Sequence, residues 1–247
     1  TRLVAELLAT EGAATSWEAV RVASPLALAA YRVGALGPAS DAWRFVCDRG
    51  VCVLPGDQPN LQAARLNLAV AIQAQGDLAG ARALKEKVLE VRTRTLPADH
   101  PDLLTTQSNL ATTMKAQGDT PGARALEEIV LEARTRTLSD DHPDLQSARV
   151  NLAGTMAEVG DLPGARTLFE KALEVMTRTM PGDDPRLQAA RLNLGVVIRG
   201  QGDSRTAREL FEEVLEVNVR TLPADHPDLQ KTRWNLALTM KDQGDLQ

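Results

Sequence analysis

The chain has 247 residues, 43% apolar but only 3% aromatic, so Leu, Ala and Val must fill a large core with few rings, a composition that favours helices. Its net charge of -5 comes from interspersed acids and bases, which leaves no basic stripe for nucleic acid or anionic lipid. No apolar run reaches the roughly 18 residues of a membrane span, no basic-then-apolar leader opens the chain, and two cysteines are too few to staple it, so a soluble cytoplasmic protein is expected.

Residues 1–12, TRLVAELLATEG, predict one helix. The stretch after it is legible by comparison with its downstream neighbour. Slid against residues 59–100 without a gap, residues 17–58 place Leu26 and Ala27 on Leu68 and Ala69, Gly34 on Gly76, Leu36 on Leu78 and Ala39 on Ala81. This predicts a worn copy of a unit that stands intact downstream. Its first helix is expected from Ser24, with Pro25 in the opening turn, and its second over SDAWRFVCDRG, capped by Ser40 or Asp41. A terminal unit of this kind suits a cap, because one of its faces needs no neighbour. Residues 1–58 are therefore expected to be an N-terminal helical cap that includes a degenerate repeat; a helical cap of independent origin is the alternative.

From Pro59 onward the chain repeats with a step of 42 residues: Pro59, Pro101, Pro143, Pro185 and Pro227; Asn67, Asn109, Asn151, Asn193 and Asn235; Gly76, Gly118, Gly160, Gly202 and Gly244. An uninterrupted period is what a stacked array requires, since every unit meets its neighbour through the same interface. Within one unit, Leu103, Leu110, Ala111 and Met114 recur at helical spacing before Gly118, and Ala123, Leu126, Val130 and Leu131 do so after it. Each unit is thus two helices, A over about 101–117 and B over about 120–137. Gly118 suits the left-handed residue that ends helix A, and Asp119 can cap helix B. The connection is so short that the two helices must run antiparallel. DHPD, residues 99–102, starts helix A with proline where a missing N–H costs nothing and Asp102 at the positive end of the dipole. One hairpin of this kind leaves an apolar face in water; at about 25 cal/mol per Å² of apolar area, stacking on the next unit offsets the chain entropy. Residues 59–247 are expected to hold four complete repeats plus a final single helix, and a start at Thr1 with a stop at GDLQ suggests a slice of a longer protein.

The run LEVRTRTLPADHPDLQxxRxNLAxxxxxQGDLxxAR resembles the tetratricopeptide (TPR) repeat, in the 42-residue form found in kinesin light chains and many bacterial regulatory proteins. Against the shorter TPR pattern, Arg65 stands where that pattern has Trp and Ile72 where it has Tyr. The resemblance implies an all-α fold, a right-handed α-solenoid of antiparallel helix pairs (a TPR superhelix), in which the A helices line a concave groove. Carried over position by position, the groove stripe takes the repeated asparagine and the residues four before, one before, three after and six after it. The expected peptide-binding residues are Leu66, Asn67, Val70 and Gln73; Ser108, Asn109, Thr112 and Lys115; Val150 and Asn151; Leu192, Asn193, Val196 and Arg199; and Trp234, Asn235, Leu238 and Lys241. Ala63, Thr105, Ser147, Gly154, Ala157, Ala189 and Lys231 complete the stripe. An asparagine offers donor and acceptor together, so a ladder of them can pair with an extended peptide backbone; equally, each can tie neighbouring helices. Lys115, Arg199 and Lys241 vary between units and would favour an acidic or carboxylate-bearing partner, while Trp234 is either an anchor or a packing residue.

No residues converge as catalytic, cofactor or metal sites. His100, His142 and His226 occupy one loop position in different units, where helix-start punctuation explains them. Cys47 and Cys52 have the wrong spacing for a redox pair and read as small buried hydrophobes. Pairs such as Glu127–Glu128 and Glu212–Glu213 read as a solvated outer face. The expected function is non-catalytic: a module for a protein or peptide partner, or for another domain of the same protein, with neither nucleic acid nor membrane as partner. The alternative is a structural or regulatory arm of a larger effector, such as a caspase-like (CHAT) peptidase or a signalling ATPase, acting through its ends or convex face.

Overall fold

The computed structural model describes residue 25, residues 27–53 and residues 55–245. After a short helical stretch at 27–32 come α1 (Leu36–Val53), α2 (Pro59–Ala74), α3 (Leu78–Thr95), α4 (Pro101–Ala116), α5 (Thr120–Thr137), α6 (Pro143–Glu158), α7 (Leu162–Thr179), α8 (Pro185–Gly200), α9 (Ser204–Thr221) and α10 (Pro227–Asp242). All regular structure among the described residues is helical, in the helix-pair order that the expected all-α solenoid class requires. The helix expected at residues 1–12 and the start at Ser24 lie outside the described residues.

The boundaries follow from local chemistry. Each first helix of a repeat has proline in its first turn. Nδ1 of His100, His142 and His226 accepts from the N–H of Asp102, Asp144 and Asp228 at 3.1, 3.1 and 3.2 Å, so the loop histidines are helix caps. Each second helix starts on an aspartate: Asp77, Asp119, Asp161 and Asp203 accept from N–H groups three residues on at 2.8 to 3.1 Å. The glycine before each, at φ +94, +83, +84 and +91°, holds the left-handed turn that a side chain would strain. The Thr206 N–H holds the Asp203 carboxyl below the usual carboxylate range, so this cap contributes above that range and is lost as pH falls through it. Asp161→Ala, which orphans the Gly164 N–H, is expected to cost about 1 kcal/mol in urea denaturation; no measurable loss would show that the cap contributes nothing.

α1 begins at Leu36, not at Ser40 or Asp41. Gly34, at φ +74°, has already turned the chain, and Pro38 is tolerated in a first helical turn, so nothing delays the start. Ser40 sits inside the helix, 4% exposed, donating to the Gly37 carbonyl at 2.8 Å.

Two compact units divide at Ala123 and Arg124, and consecutive helices pack on one another within each. In the first, Trp43, Val46 and Cys47 of α1 meet Ala64, Leu68 and Ile72 of α2. Burial pushes the Cys47 thiol up to about 12, the behaviour of a core residue, while the side chain of Cys52 lies outside the described residues. In the second, Phe169 and Phe211, both 0% exposed, are surrounded by Ala153, Leu173, Leu187, Leu194 and Ile198. Small residues recur where helices approach, Ala81, Ala123, Ala165 and Ala207 all being 0% exposed.

One repeat position changes its chemistry along the chain: Lys85, Glu127, Phe169 and Phe211 are equivalent and all buried. Glu127 therefore does not belong to a solvated face; it is 4% exposed, while Glu128 is exposed and pairs with Arg124 at 2.8 Å. Glu212 and Glu213 are both exposed, as a solvated face requires; Glu127 stands one repeat position earlier, at the address of Phe211, and so faces the core.

Candidate binding face

First helices are positioned by two recurring contacts, an arginine from the preceding second helix and a glutamine that closes the preceding loop. Helices α6, α8 and α10 have both, while α4 carries Leu104 at the glutamine position and α2 has Ser40 at the arginine position. Arg82 holds Glu86 on its own helix at 2.8 Å and reaches Gln117 Oε1 and Asp119 Oδ2 of the next turn at 3.2 and 3.0 Å. Arg208 repeats this with Gln243 at 3.2 Å and Asp245 at 2.5 Å, Arg166 with Gln201 at 3.2 Å, and Arg124 with Asp161 at 3.6 Å. The buried Gln62 and Gln188 and the exposed Gln230 close the preceding loop by donating from Nε2 to the carbonyls of Gly56, Gly182 and Ala224 at 2.6, 2.6 and 2.7 Å, and Gln146 does so to Asp140. The recurrence of AR and QGD from unit to unit is the sequence signal for the outer contacts, but it does not say that the two pair across repeats.

The expected stripe divides into groups. Asn67 is exposed and Asn109, Asn151 and Asn193 are half-buried; their side-chain amides bond to no protein group among the described residues. Asn235 differs: it is 7% exposed and donates to the Lys231 carbonyl at 2.9 Å. Val70, Val196 and Trp234 are exposed at 36, 37 and 66%, and Thr112 and Lys241 are exposed as well. Leu66, Val150 and Leu238 are half-buried, as are Ser108, which bonds the Leu104 carbonyl at 3.0 Å, and Lys115. Leu192, 4% exposed, belongs to the core.

Gln73 and Arg199 are engaged by side chains of other helices. Gln73 accepts from Lys85 Nζ at 2.6 Å and from the Thr113 hydroxyl at 2.9 Å. Lys85 also donates to the Thr113 hydroxyl and the Asn109 carbonyl, and burial lowers its pKa to about 8. Arg199 Nε lies 4.0 Å from Asp242 Oδ2, so this cation is spoken for in part. In the second unit a cleft of about 220 Å³ opens beside Leu192 and Asn193, bounded by Asp183, Asn218, Asp228 and Lys231. Among the described residues no three His, Cys, Asp or Glu side chains gather as a metal site, and no helix is long and apolar enough to cross a membrane.

Family models of the tetratricopeptide repeat match residues 60–132, and again 145–186 and 187–228. The chain belongs to the tetratricopeptide repeat family. Its TPR units resemble those of kinesin light chain-like proteins. A kinesin light chain-like protein of Podosopora anserina with nearly identical TPR-like repeats is 27% identical, with TM-score 0.70, over 82% of this chain and 96% of that one. BtubC (BKLC) from P. vanneervenii shares the fold at 21% identity and TM-score 0.69, covering 85% of this chain and 82% of its own. YrrB, described as a TPR protein with an unusual peptide-binding site, shares it at 15% identity and TM-score 0.52, over 86% and 89% of the two chains. No curated protein sequence matches. The TPR fold is that of a protein-protein interaction module.

Proposed function

We propose that the chain is a non-catalytic module that presents the first-helix faces of its repeats to a peptide or to a protein segment, supplied by another protein or by another domain of its own. One observation carries this reading: Asn67, Asn109, Asn151 and Asn193 hold the same repeat position and keep their amides unengaged by the protein among the described residues. A side chain kept for packing alone gains nothing from an amide, whereas a partner backbone offers both a donor and an acceptor to it. The exposed Val70, Val196 and Trp234 supply apolar contacts beside the amides, Trp234 being the one with most surface to bury. YrrB, which shares the fold, carries a peptide-binding site, in keeping with this use. A cytoplasmic setting suits Cys47, held as a buried free thiol.

Selection of a displayed random peptide library on the chain tests the proposal. Enriched peptides are expected to lose at least tenfold in affinity when Asn151→Ala and Asn193→Ala are combined, with the thermal midpoint within about 2 °C of the parent. Peptides indifferent to the double substitution, or a parallel loss of affinity and stability, would assign the asparagines to the scaffold.

A further inference from the structure

Near the end of each second helix one position faces the start of the next repeat: Arg92, Arg134, Met176 and Asn218 are equivalent there. Arg92, 7% exposed, donates from Nη1 to the Asp102 carbonyl and the Thr106 hydroxyl, both at 2.7 Å, with Nη2 3.8 Å from the Asp102 carboxylate. Arg134 donates to the equivalent Asp144 carbonyl at 2.9 Å. Met176 is enclosed in the apolar core. Asn218 is too short to reach the equivalent carbonyl and donates instead to the Thr232 hydroxyl at 3.1 Å. The volume responds accordingly. Beside Arg92 a cavity of about 40 Å³ remains, while beside Asn218 it is about 220 Å³, bounded by residues at the same repeat positions: Asp183, Gln188 and Asp228 for Asp57, Gln62 and Asp102.

This larger cleft has surplus acceptors. The Asp102 carbonyl accepts from both Thr106 and Arg92, whereas the Asp228 carbonyl accepts from Thr232 alone among side chains of the described residues. Gln62 and Gln146 have their Oε1 atoms satisfied by Arg65 at 3.3 Å and Arg149 at 3.0 Å. Gln188, 4% exposed, has a buried Oε1 with no donor. A buried acceptor left alone costs about 1–3 kcal/mol, which a donor-bearing ligand would recover. Two carboxylates, Asp183 and Asp228, stand at the mouth against one exposed ammonium, Lys231, whose long stem can carry it into water.

We propose that the cleft between α8, α9 and α10 binds the guanidinium of an arginine side chain on a partner segment. The chain's own Arg92 and Arg134 place that group in the equivalent position at two earlier junctions, against the same carbonyl. A planar donor fork fits a carbonyl, a carboxylate and an amide oxygen at once, which a point charge does not. The inference rests on the first-helix faces being the binding surface and adds the chemistry of one contact: a basic residue, where Lys115, Arg199 and Lys241 alone would point to acidic partners.

The test uses N-acetylarginine amide and its neutral isostere N-acetylcitrulline amide, titrated into the isotopically labelled chain and followed by NMR. Saturable shifts centred on Asn193, Asn218 and Asp228 are expected, with at least tenfold tighter binding of the arginine compound. Asn218→Arg, which fills the cleft as Arg92 does, is expected to abolish them with helical circular dichroism unchanged. Asp228→Asn, which keeps the fold should the larger change not, is expected to weaken binding at least threefold. Absent or equal responses to the two compounds, or binding undiminished in either variant, would overturn the proposal. Failure of the wider reading has a different signature, library peptides indifferent to the asparagine pair, and leaves this titration unchanged.

Discussion

Phe169→Ala and Phe211→Ala are each expected to lower stability by about 3–5 kcal/mol, read as a fall in the urea midpoint without a change in slope. Both rings are 0% exposed and sit among aliphatic side chains from several helices, so truncation removes apolar burial and leaves a hole that neighbours fill only in part. The 18-residue helices α7 and α9 are marginal alone, so a loosened interface is felt by the whole second unit. Phe211 offers an internal control. Gly195 stands where Ala69, Ala111 and Ala153 stand in other repeats, and a Cβ there would lie 2.6 Å from the Phe211 ring. Gly195→Ala combined with Phe211→Ala is therefore expected to cost less than the two changes summed, because the added methyl occupies space the ring has left. A loss below about 1 kcal/mol for both phenylalanine variants, or strict additivity in the pair, would contradict this packing.

The equivalent position in the first unit inverts the chemistry. Lys85 is 2% exposed, and burial lowers its pKa from 10.5 to about 8. Below about pH 8 the amine is charged in folded and unfolded chains alike, and the folded state bears the full cost of burying that charge. Between about 8 and 10.5 the unfolded chain still holds the proton that the folded one has released, so stability rises with pH through this window, by about 3 kcal/mol at most. Lys85→Met removes the effect without orphaning its neighbour, since Gln73 still accepts from Thr113 at 2.9 Å. The variant is expected to gain about 1–2 kcal/mol at pH 7, a gap that the parent's rise closes above about pH 9 and reverses by about pH 10.5. A difference that stays constant with pH would place the titration elsewhere.

This one repeat position marks the limit of what the periodicity conveys. The helix starts, turns and caps depend on contacts within a few residues, so proline, glycine and aspartate at fixed offsets announced them; α4 and α5 end within a residue of where the periodicity puts them. The start of α1 was misplaced because Ser40 and Asp41 have good capping chemistry, but Gly34 had already turned the chain. Lys85, Glu127, Phe169 and Phe211 share one address yet differ in charge and bulk, and only the neighbours around each say that all four are buried. The asparagines were legible as a ladder, whereas the burial of Asn235 and the capture of Gln73 by Lys85 depend on side chains from other helices or on a different packing environment. The cleft at Asn218 was invisible for the same reason: its size is set by what one side chain fails to fill.

The arginines at Arg82, Arg166 and Arg208 reach partners 35 or 37 residues ahead, so each of these repeats holds, from the start of its second helix, the matching turn of the next. Inserting or excising one whole 42-residue unit would still bring each of these arginines to an equivalent aspartate, so the outer contact does not depend on which repeats are neighbours. Such an event carries the individual side chains with it, so a lineage that gains or drops one unit also relocates its acidic notch along the series.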